Sequence, residues 1–318
     1  MPQSLSYLDL VNELDGFPSA ILNPTAHTER LSTLMLFTSG THTLGYVLPS
    51  VVTALRALSS PHWTITPSTV SLTGHTVDER STQMRTTLES FRDAQTFAVC
   101  SGKGWRNELY SVYSPNGELY LEMERSGAAL FGVVQYGVHM TAFVRADGGL
   151  KIWTPRRNPT KSTYPSMLDN TVAGGIASGM TVFETLIKES AEEASLPESL
   201  VREKARCVGL VSYFMVRDHR AGGETGLLMP EVQYVYDMEV GDDVVPRPGD
   251  DEVQDFHLLT MDEVVSELRA GRFKPNCAVV LIDFFIRHGI ITPENEPDYI
   301  EISSRIHRTL EFPLAKYT

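Results

Sequence analysis

The segment that most constrains this chain is a glycine-rich stretch that runs into a helical pattern between residues 174 and 196. It begins Gly174-Gly-Ile-Ala-Ser-Gly179, a composition typical of loops. Thr181 and Glu184 follow at the spacing of a capping box, in which a hydroxyl and a carboxylate satisfy free N–H groups at a helix start. The sequence therefore predicts a loop that feeds directly into a helix over 181–196.

This predicted helix has two chemically different faces. At about 100° per residue, small or apolar side chains fall on one stripe. The stripe consists of Phe183, Leu186, Ile187, Ser190, Ala191 and Ala194. Glu189, Glu192 and Glu193 cluster on another side. We therefore expect one face to pack against the protein and another to present acid.

The three glutamates are either solvated surface or a site for a cation. Carboxylates at i, i+3 and i+4 repel one another by roughly a few tenths of a kcal/mol per pair on an exposed helix. A divalent cation reverses that sign, and oxygen ligands favour Mg²⁺ or Mn²⁺. Such an ion polarises phosphorus-bound oxygens and lowers the pKa of a bound water, which suits diphosphate hydrolysis. The glutamates alone fit both interpretations, so the choice depends on the rest of the sequence.

Length and charge limit what the whole chain can be. At 318 residues it exceeds what one core usually organises, which predicts two domains. A net charge of −13 repels nucleic acid, and no apolar run approaches the roughly 20 residues that span a bilayer. The start carries no recognisable targeting signal, and three scattered cysteines fit a reducing compartment. We therefore expect a cytoplasmic protein that binds neither nucleic acid nor membrane.

The pattern along the chain indicates mixed α and β structure. Two β-type runs, 109–113 and 119–123, flank Asn116-Gly117 and predict a hairpin. A long strand is predicted over 133–144, and the domain boundary falls near 130–140. Further strands are predicted at 150–153, 208–215 and 232–238, further helices at 5–14, 51–58, 261–270 and 277–288, and a loop at 242–251.

Residues 174–196 resemble the Nudix box, G-x(5)-E-x(7)-R-E-U-x-E-E-x-G-U, in which U is aliphatic. The matching residues are Gly174, Glu189, Glu192, Glu193 and Leu196. Four positions differ: Met180 replaces a glutamate, Lys188 an arginine, Ser190 an aliphatic residue and Ser195 a glycine. Every carboxylate of the metal-binding part is present, and Lys188 keeps the positive charge but not the planar fork of arginine.

The resemblance extends beyond the box. Segments 153–161, 168–175, 230–236 and 273–278 are similar to the thiamine-diphosphate-related Nudix branch of fungi and plants, whose members carry an N-terminal domain. The resemblance implies an α/β protein: an α+β accessory domain over 1–135 and a Nudix α/β/α sandwich over 136–318. The role of the accessory domain and the oligomeric state are left open.

The resemblance also implies roles for particular residues. Glu189, Glu192 and Glu193 are expected to be catalytic and to bind Mg²⁺ or Mn²⁺, with the Ala173 carbonyl as an additional ligand. The general base is left unassigned. Substrate-binding roles are expected for Arg156, Arg157, Lys161 and Glu231. The alternatives are a solvated loop for the three cations, and an ordinary strand-edge charge for Glu231.

The function implied is a metal-dependent diphosphatase for a small-molecule diphosphate. Thiamine diphosphate or its damaged oxo and oxy analogues are the expected substrates, and the monophosphate is the product. Other Nudix substrates, such as ADP-ribose or a dinucleotide, remain an alternative, as does a catalytically silent binding module. Isopentenyl-diphosphate isomerase, which has a related fold, is disfavoured because the cysteines here are dispersed.

Overall fold

The computed structural model describes residues 4–316 as two packed parts. Helices of the first 134 residues are α1 (Tyr7–Leu14), α2 (Pro24–Leu31), α3 (Pro49–Leu58), α4 (Val77–Asp93) and α5 (Ala128–Phe131). The strands of the same 134 residues are β1 (Met35–Ser39), β2 (His42–Val47), β3 (Trp63–Ile65), β4 (Thr69–Leu72), β5 (Leu109–Tyr113) and β6 (Leu119–Glu124). The predicted hairpin is confirmed as β5 and β6, which pair antiparallel around Asn116-Gly117.

The remaining chain supplies six strands and five helices within the described residues. The strands are β7 (Gln135–Ala146), β8 (Gly149–Arg157), β9 (Val172–Gly175), β10 (Arg206–Val216), β11 (Leu228–Glu239) and β12 (Val253–Thr260). The helices are α6 (Val182–Ala194), α7 (Glu198–Lys204), α8 (Met261–Arg269), α9 (Pro275–Arg287) and α10 (Tyr299–Arg305).

The N-terminal part is an α+β unit with its own core. Its sheet has the strand order β2-β1-β4-β3, and the hairpin β5–β6 lies beside it as a separate two-stranded sheet. Phe37, Trp63 and Phe131 stack at the centre of this core with ring centroids 5.3 to 6.0 Å apart. The Trp63 indole N–H donates to Thr87 Oγ1 of α4 at 2.9 Å, so a buried polar group is satisfied.

The C-terminal part is a mixed sheet covered by helices on both faces. Its strand order is β10-β11-β7-β8-β12, with β9 paired to β7. Side chains alternate along β7: Val138 and Met140 pack towards α6, whereas Phe143 packs on Phe284 of α9. This arrangement confirms the predicted α/β fold with helices above and below the sheet.

The first helix differs from its predicted position in two ways. It begins at Tyr7 rather than at residue 5, because Ser6 and Asp9 form a reciprocal capping box at its start. Its apolar residues, Leu10 and Leu14 among them, pack into the core shared with α9. Helix α1 therefore packs in the core of the C-terminal part and not in that of the N-terminal unit.

Within residues 4–316, no helix combines the length and apolar character needed to cross a membrane.

The sheet of the C-terminal part positions α6 and the preceding loop at one end of β7, where the N-terminal hairpin meets them.

Candidate functional site

Helix α6 begins and ends with local signals in the sequence. Thr181 Oγ1 accepts a hydrogen bond from the Glu184 N–H at 3.3 Å, but the Glu184 carboxylate pairs with Arg202, so only half of the predicted capping box forms. At the other end Ser195 adopts a left-handed conformation with φ of 53°. That conformation explains why the Nudix pattern has glycine at this position, since glycine adopts it without strain.

The two predicted faces of α6 are largely confirmed. Leu186, Ile187, Ser190 and Ala194 are buried against the sheet, and Phe183 is half-buried. Ala191 is exposed, so its place in the packed stripe was wrong: it lies at the margin of that face, next to Glu192. The acidic face consists of Glu189 and Glu193, both half-buried, and of the exposed Glu192.

Two of the box glutamates lie directly against the loop that precedes α6. Glu193 Oε2 accepts a hydrogen bond from the Ala173 N–H at 2.9 Å. A Cβ atom at position 174 would overlap Glu189 Cγ and Cδ, so only glycine lets this carboxylate approach the loop. Gly174 is therefore needed to bring Glu189 beside β9, together with Glu193.

The donor set fits a hard cation in its chemistry. The Lys188 ammonium pairs with Glu189 at 3.1 Å and with Glu192 at 2.9 Å, so two carboxylates already converge on a positive charge. Across residues 4–316, however, no three His, Cys, Asp or Glu side chains are arranged to enclose a metal ion. The metal site at Glu189, Glu192, Glu193 and the Ala173 carbonyl stays a prediction.

Burial disfavours the ionised form of two of these carboxylates, Glu189 and Glu193. It raises the pKa of Glu189, against the opposing effect of Lys188. Burial also raises the pKa of Glu193 well above its ordinary value, the nearby Asp169 charge adds to this, and the Ala173 N–H partly offsets it. A bound cation would favour the ionised form of both groups.

Glu231 lies inside the sheet and not at its edge. Strand β11 runs between β10 and β7, so the alternative of a strand-edge charge was wrong. The carboxylate is buried, accepts hydrogen bonds from Tyr213 Oη at 2.5 Å and Gln233 Nε2 at 2.8 Å, and lines a cavity. Burial raises its pKa, although the hydrogen bond from Tyr213 opposes that shift.

The three predicted substrate-binding cations are engaged by the protein. Arg157 is buried, pairs with Asp169 at 2.7 Å and donates to the Thr163 and Tyr164 carbonyls. Arg156 donates to the Ser166 carbonyl, and Lys161 pairs with Glu252. None of the three lines the cavity. Arg156 and Arg157 instead contact carbonyls of residues 163–166, and the substrate-binding role of all three stays a prediction.

The cavity has a volume of about 250 Å³ and lies where the two parts of the chain meet. The N-terminal part contributes Arg106, Tyr110 and Arg125 to its wall. The C-terminal part contributes residues 173–175 of β9 and the side chains of Gln135, Tyr164, Tyr213, Arg217, Glu231, Gln233 and Lys274. The predicted acid Glu231 and several cations that the sequence analysis did not predict therefore line the same cavity.

Four cavity cations were missed by the sequence analysis: Arg106, Arg125, Arg217 and Lys274. Only Lys274 carried a signal, since it lies in the segment 273–278 that resembles the thiamine-diphosphate-related branch. Its ammonium is half-buried, and among the described residues it makes neither a hydrogen bond nor an ion pair through its side chain. Its charge acts on the buried Asp169 and Glu231, and its free N–H donors are suited to bind an anion.

His139 borders the cavity, and its protonation is expected to make the stability of the fold depend on pH. Its Nδ1 lies 2.7 Å from Asn170 Oδ1, and burial, together with the Lys274 charge, lowers its pKa to about 4 from an ordinary 6.5. Because the folded protein disfavours the protonated ring, its contribution to stability is complete above pH 6.5 and is lost as pH falls towards 4.

Between pH 6.5 and pH 4, His139 is expected to lower the free energy of unfolding by up to about 3 kcal/mol. The His139→Gln protein should lack this part of the pH dependence. Urea titrations of both proteins from pH 4 to 7 measure it. Parallel pH profiles for the two proteins would show that His139 titrates normally in the folded state.

Comparisons with known proteins agree with this architecture. A family model described as "Domain of unknown function (DUF4743)" matches residues 17–135. The chain is 36% identical over 329 residues to "Uncharacterized protein YJR142W" of Saccharomyces cerevisiae, a match that covers 98% of this chain and 93% of the yeast protein.

Plant relatives match the part of the chain that carries the box. "Nudix hydrolase 20, chloroplastic" of Arabidopsis thaliana is 38% identical over 205 residues, which is 64% of this chain and 52% of the plant protein. The chain therefore spans about half the length of that relative. Among solved structures, DR0079 from Deinococcus radiodurans superposes with a TM-score of 0.40 and 23% identity, over 54% of this chain and 97% of that one.

The plant relatives share the box-bearing region with this chain, and the yeast protein shares nearly its full length. The structure supplies the corresponding elements, namely β9, the glycine-rich loop and the glutamate-bearing helix α6. The chain belongs to the Nudix superfamily of diphosphate hydrolases and carries an additional N-terminal domain.

Proposed function

We propose that this protein is a metal-dependent diphosphatase that hydrolyses thiamine diphosphate, or its oxo and oxy analogues, to the monophosphate. The observation that carries the proposal is the cavity between the two parts of the chain. Its wall combines residues 173–175 of β9 with the Lys274 ammonium, which makes no hydrogen bond or ion pair among the described residues, and with the buried acid Glu231. A diphosphate needs both cationic contacts and a nearby acidic metal site.

The diphosphate is expected to bind at the cationic wall of the cavity. Arg125 carries a planar guanidinium with several N–H donors, and Lys274 carries a compact ammonium. Both groups are suited to bind phosphate oxygens. Arg217 is less free, because it donates to the Gly222 and Ala221 carbonyls of the neighbouring loop. Arg106 approaches Ser162 Oγ at 3.4 Å and lies on the same wall.

The ring system of the substrate is expected to contact the tyrosines of the cavity. Tyr110, Tyr136, Tyr164 and Tyr213 line it. Aromatic faces attract a cationic ring such as a thiazolium, by about 0.5–2 kcal/mol according to exposure. The Gln135 side chain is buried at the same wall, and its amide nitrogen has no partner among the described residues. That amide is suited to hydrogen-bond a ring nitrogen.

The metal would be held by Glu189, Glu192, Glu193 and the Ala173 carbonyl. When bound, it would polarise phosphorus-bound oxygens and lower the pKa of a water nucleophile. The water oxygen forms a bond to the terminal phosphorus, the bridging P–O bond breaks, and orthophosphate and the monophosphate result. Arg125 and Lys274 stabilise the charge that develops on the phosphate oxygens.

A carboxylate of raised pKa must accept the proton of the attacking water. Glu231 is one such group, because its Oε2 is fixed by Tyr213 and Gln233 and its Oε1 accepts no hydrogen bond from the described protein. Glu231 lines the cavity where the diphosphate is expected.

The substrate assignment is supported by the resemblance of segments 153–161 and 273–278 to the thiamine-diphosphate-related branch. Segment 273–278 contributes Lys274, Pro275 and Asn276 to the cavity wall, and segment 153–161 leads into residues 162–164, which also line it. The three cysteines are free thiols, in keeping with the reducing, cytoplasmic location that we propose.

The substrate proposal is tested by a hydrolysis screen. Phosphate release from thiamine diphosphate, its oxo and oxy analogues and ADP-ribose is measured with Mg²⁺ and with EDTA. We expect a kcat/KM for a thiamine-type diphosphate at least about 10-fold above that for ADP-ribose, which corresponds to about 1.4 kcal/mol of transition-state binding. A preference for ADP-ribose would contradict the substrate assignment, and no release from any compound would favour a silent module.

A further inference from the structure

The N-terminal hairpin is attached to the loop that precedes the Nudix helix. The Ser178 N–H donates to the Leu109 carbonyl at 2.7 Å. Ser178 Oγ lies 2.7 Å from Ser111 Oγ and donates to Glu122 Oε1 at 2.5 Å. Strands β5 and β6 of the hairpin therefore both hold the box loop, and the N-terminal domain is fixed at the expected site of chemistry.

Gly175 lets two side chains of the N-terminal domain reach this loop. A Cβ atom at position 175 would overlap Tyr110 Oη and would lie 3.3 Å from Arg125 Cζ. The backbone of Gly175 is thus in close contact with the phenol and next to the guanidinium. The second glycine of the box loop is required by the N-terminal domain rather than by the fold of the loop alone.

Arg125 is held so that part of its guanidinium remains available. Its Nη1 pairs with Glu108 at 2.7 Å, and its Cζ lies 5.3 Å from the centre of the Tyr110 ring. Throughout residues 4–316, Nε and Nη2 of Arg125 donate to no protein group. The side chain is 39% exposed, and it lines the cavity that also contains Glu231 and Lys274.

The positive charges of Arg125 and Lys274 favour an anion as the ligand of the free N–H groups of Arg125. Burial raises the pKa of Glu231, and the Arg125 charge opposes that shift, after the larger opposing effects of Tyr213, Lys274 and Gln233. Lys274, on the opposite part of the chain, makes no hydrogen bond or ion pair with a described side chain, although its charge acts on the buried Asp169 and Glu231. The free N–H donors of Arg125 and Lys274 are suited to bind the oxygens of a phosphate that enters the cavity.

We infer that Arg125 binds a phosphoryl group of the substrate, so that the N-terminal domain completes the substrate site of the Nudix domain. The inference rests on the proposed function only in naming the diphosphate as the anion. It assigns the accessory domain a direct part in substrate recognition, through the pair Arg125 and Tyr110.

The test uses inorganic pyrophosphate as a probe and the full-length protein. Its dissociation constant is measured by calorimetry in EDTA for the unaltered protein, Arg125→Gln and Arg92→Gln. Arg92 is a matched control, because it lies over the Trp105 ring at 4.5 Å, pairs with Asp93 at 2.9 Å and is 36% exposed, yet it is outside the cavity.

We expect Arg125→Gln to weaken pyrophosphate binding by about 10- to 100-fold, as for the loss of a charged hydrogen bond, and Arg92→Gln to change it less than about 2-fold. Equal affinity of Arg125→Gln and the unaltered protein, equal weakening by both variants, or no pyrophosphate binding by the unaltered protein would overturn the inference. If Arg125→Gln does not fold, Arg125→Lys decides: it keeps the pair with Glu108 but lacks the planar fork, and a loss of about 3-fold or more is expected.

The same proteins separate this inference from the proposed function. Pyrophosphate binding that depends on Arg125, in a protein that hydrolyses no diphosphate ester, supports the inference and refutes the proposed function. Hydrolysis of thiamine diphosphate with an unchanged KM in Arg125→Gln refutes the inference and leaves the proposed function standing.

Discussion

Replacing Glu193 with glutamine is expected to lower metal-dependent phosphate release by at least about 100-fold, because the amide removes a charged oxygen ligand without changing the size of the side chain. Its hydrogen bond to Ala173 can be kept, since the amide oxygen still accepts from that N–H. The fold should therefore persist, and the thermal midpoint should not fall.

Glu192→Gln is expected to act in the same direction. The matched control is Glu184→Gln on the same helix, whose carboxylate pairs with Arg202 and lies outside the proposed metal site. Activity is measured as orthophosphate release across a Mg²⁺ titration. Full turnover in Glu192→Gln and Glu193→Gln would refute the assignment of these carboxylates, and an equal loss in Glu184→Gln would point to damage of the helix as a whole.

Replacing Arg157 with methionine is expected to destabilise the protein by about 3–5 kcal/mol, because it leaves a buried partner charge uncompensated. Arg157 and Asp169 form a buried pair, each about 10% exposed. Lys274 and Arg157 hold the pKa of Asp169 well below its usual range, against the effect of burial. Without Arg157 the Asp169 charge acts more strongly on the nearby Glu193.

Urea unfolding measures this loss, and Arg156→Met serves as its control. Arg156 is half-buried and donates to one carbonyl, so its replacement should cost about 1 kcal/mol or less. An Arg157→Met protein of unchanged stability but raised KM would contradict the structural role and would favour the direct substrate contact expected from the sequence.

Elements with a strong local pattern were predictable from the sequence. Helix α6, the hairpin β5–β6 and the long strands β7 and β11 all lie where periodicity and turn residues indicated. Helix α4 was missed because it is mostly polar, with Met84, Leu88 and Phe91 as its buried apolar residues. Its Thr76 and Glu79 form a full capping box, which was an available signal.

Only the part of the candidate site that lies on a single helix was predictable from the sequence. Glu189, Glu192 and Glu193 share one helix, so their spacing gave their position. Arg125 and Lys274 are brought to the cavity by the packing of two parts of the chain, and no sequence spacing records that contact. Arg157 was given a binding role because its charge was visible in the sequence, whereas its buried partner Asp169 was not predicted to pair with it.

The central claim is that the α6 carboxylates share a divalent cation that faces a diphosphate in the cavity between the domains. Anomalous diffraction from crystals soaked with Mn²⁺ and a non-hydrolysable diphosphate analogue tests it most directly. The account predicts a manganese peak within about 2–2.5 Å of oxygens from Glu189, Glu192 and Glu193, with the analogue reaching Arg125 and Lys274. Carboxylates turned to solvent with no peak among them, at a concentration where Mn²⁺ supports turnover, would contradict it.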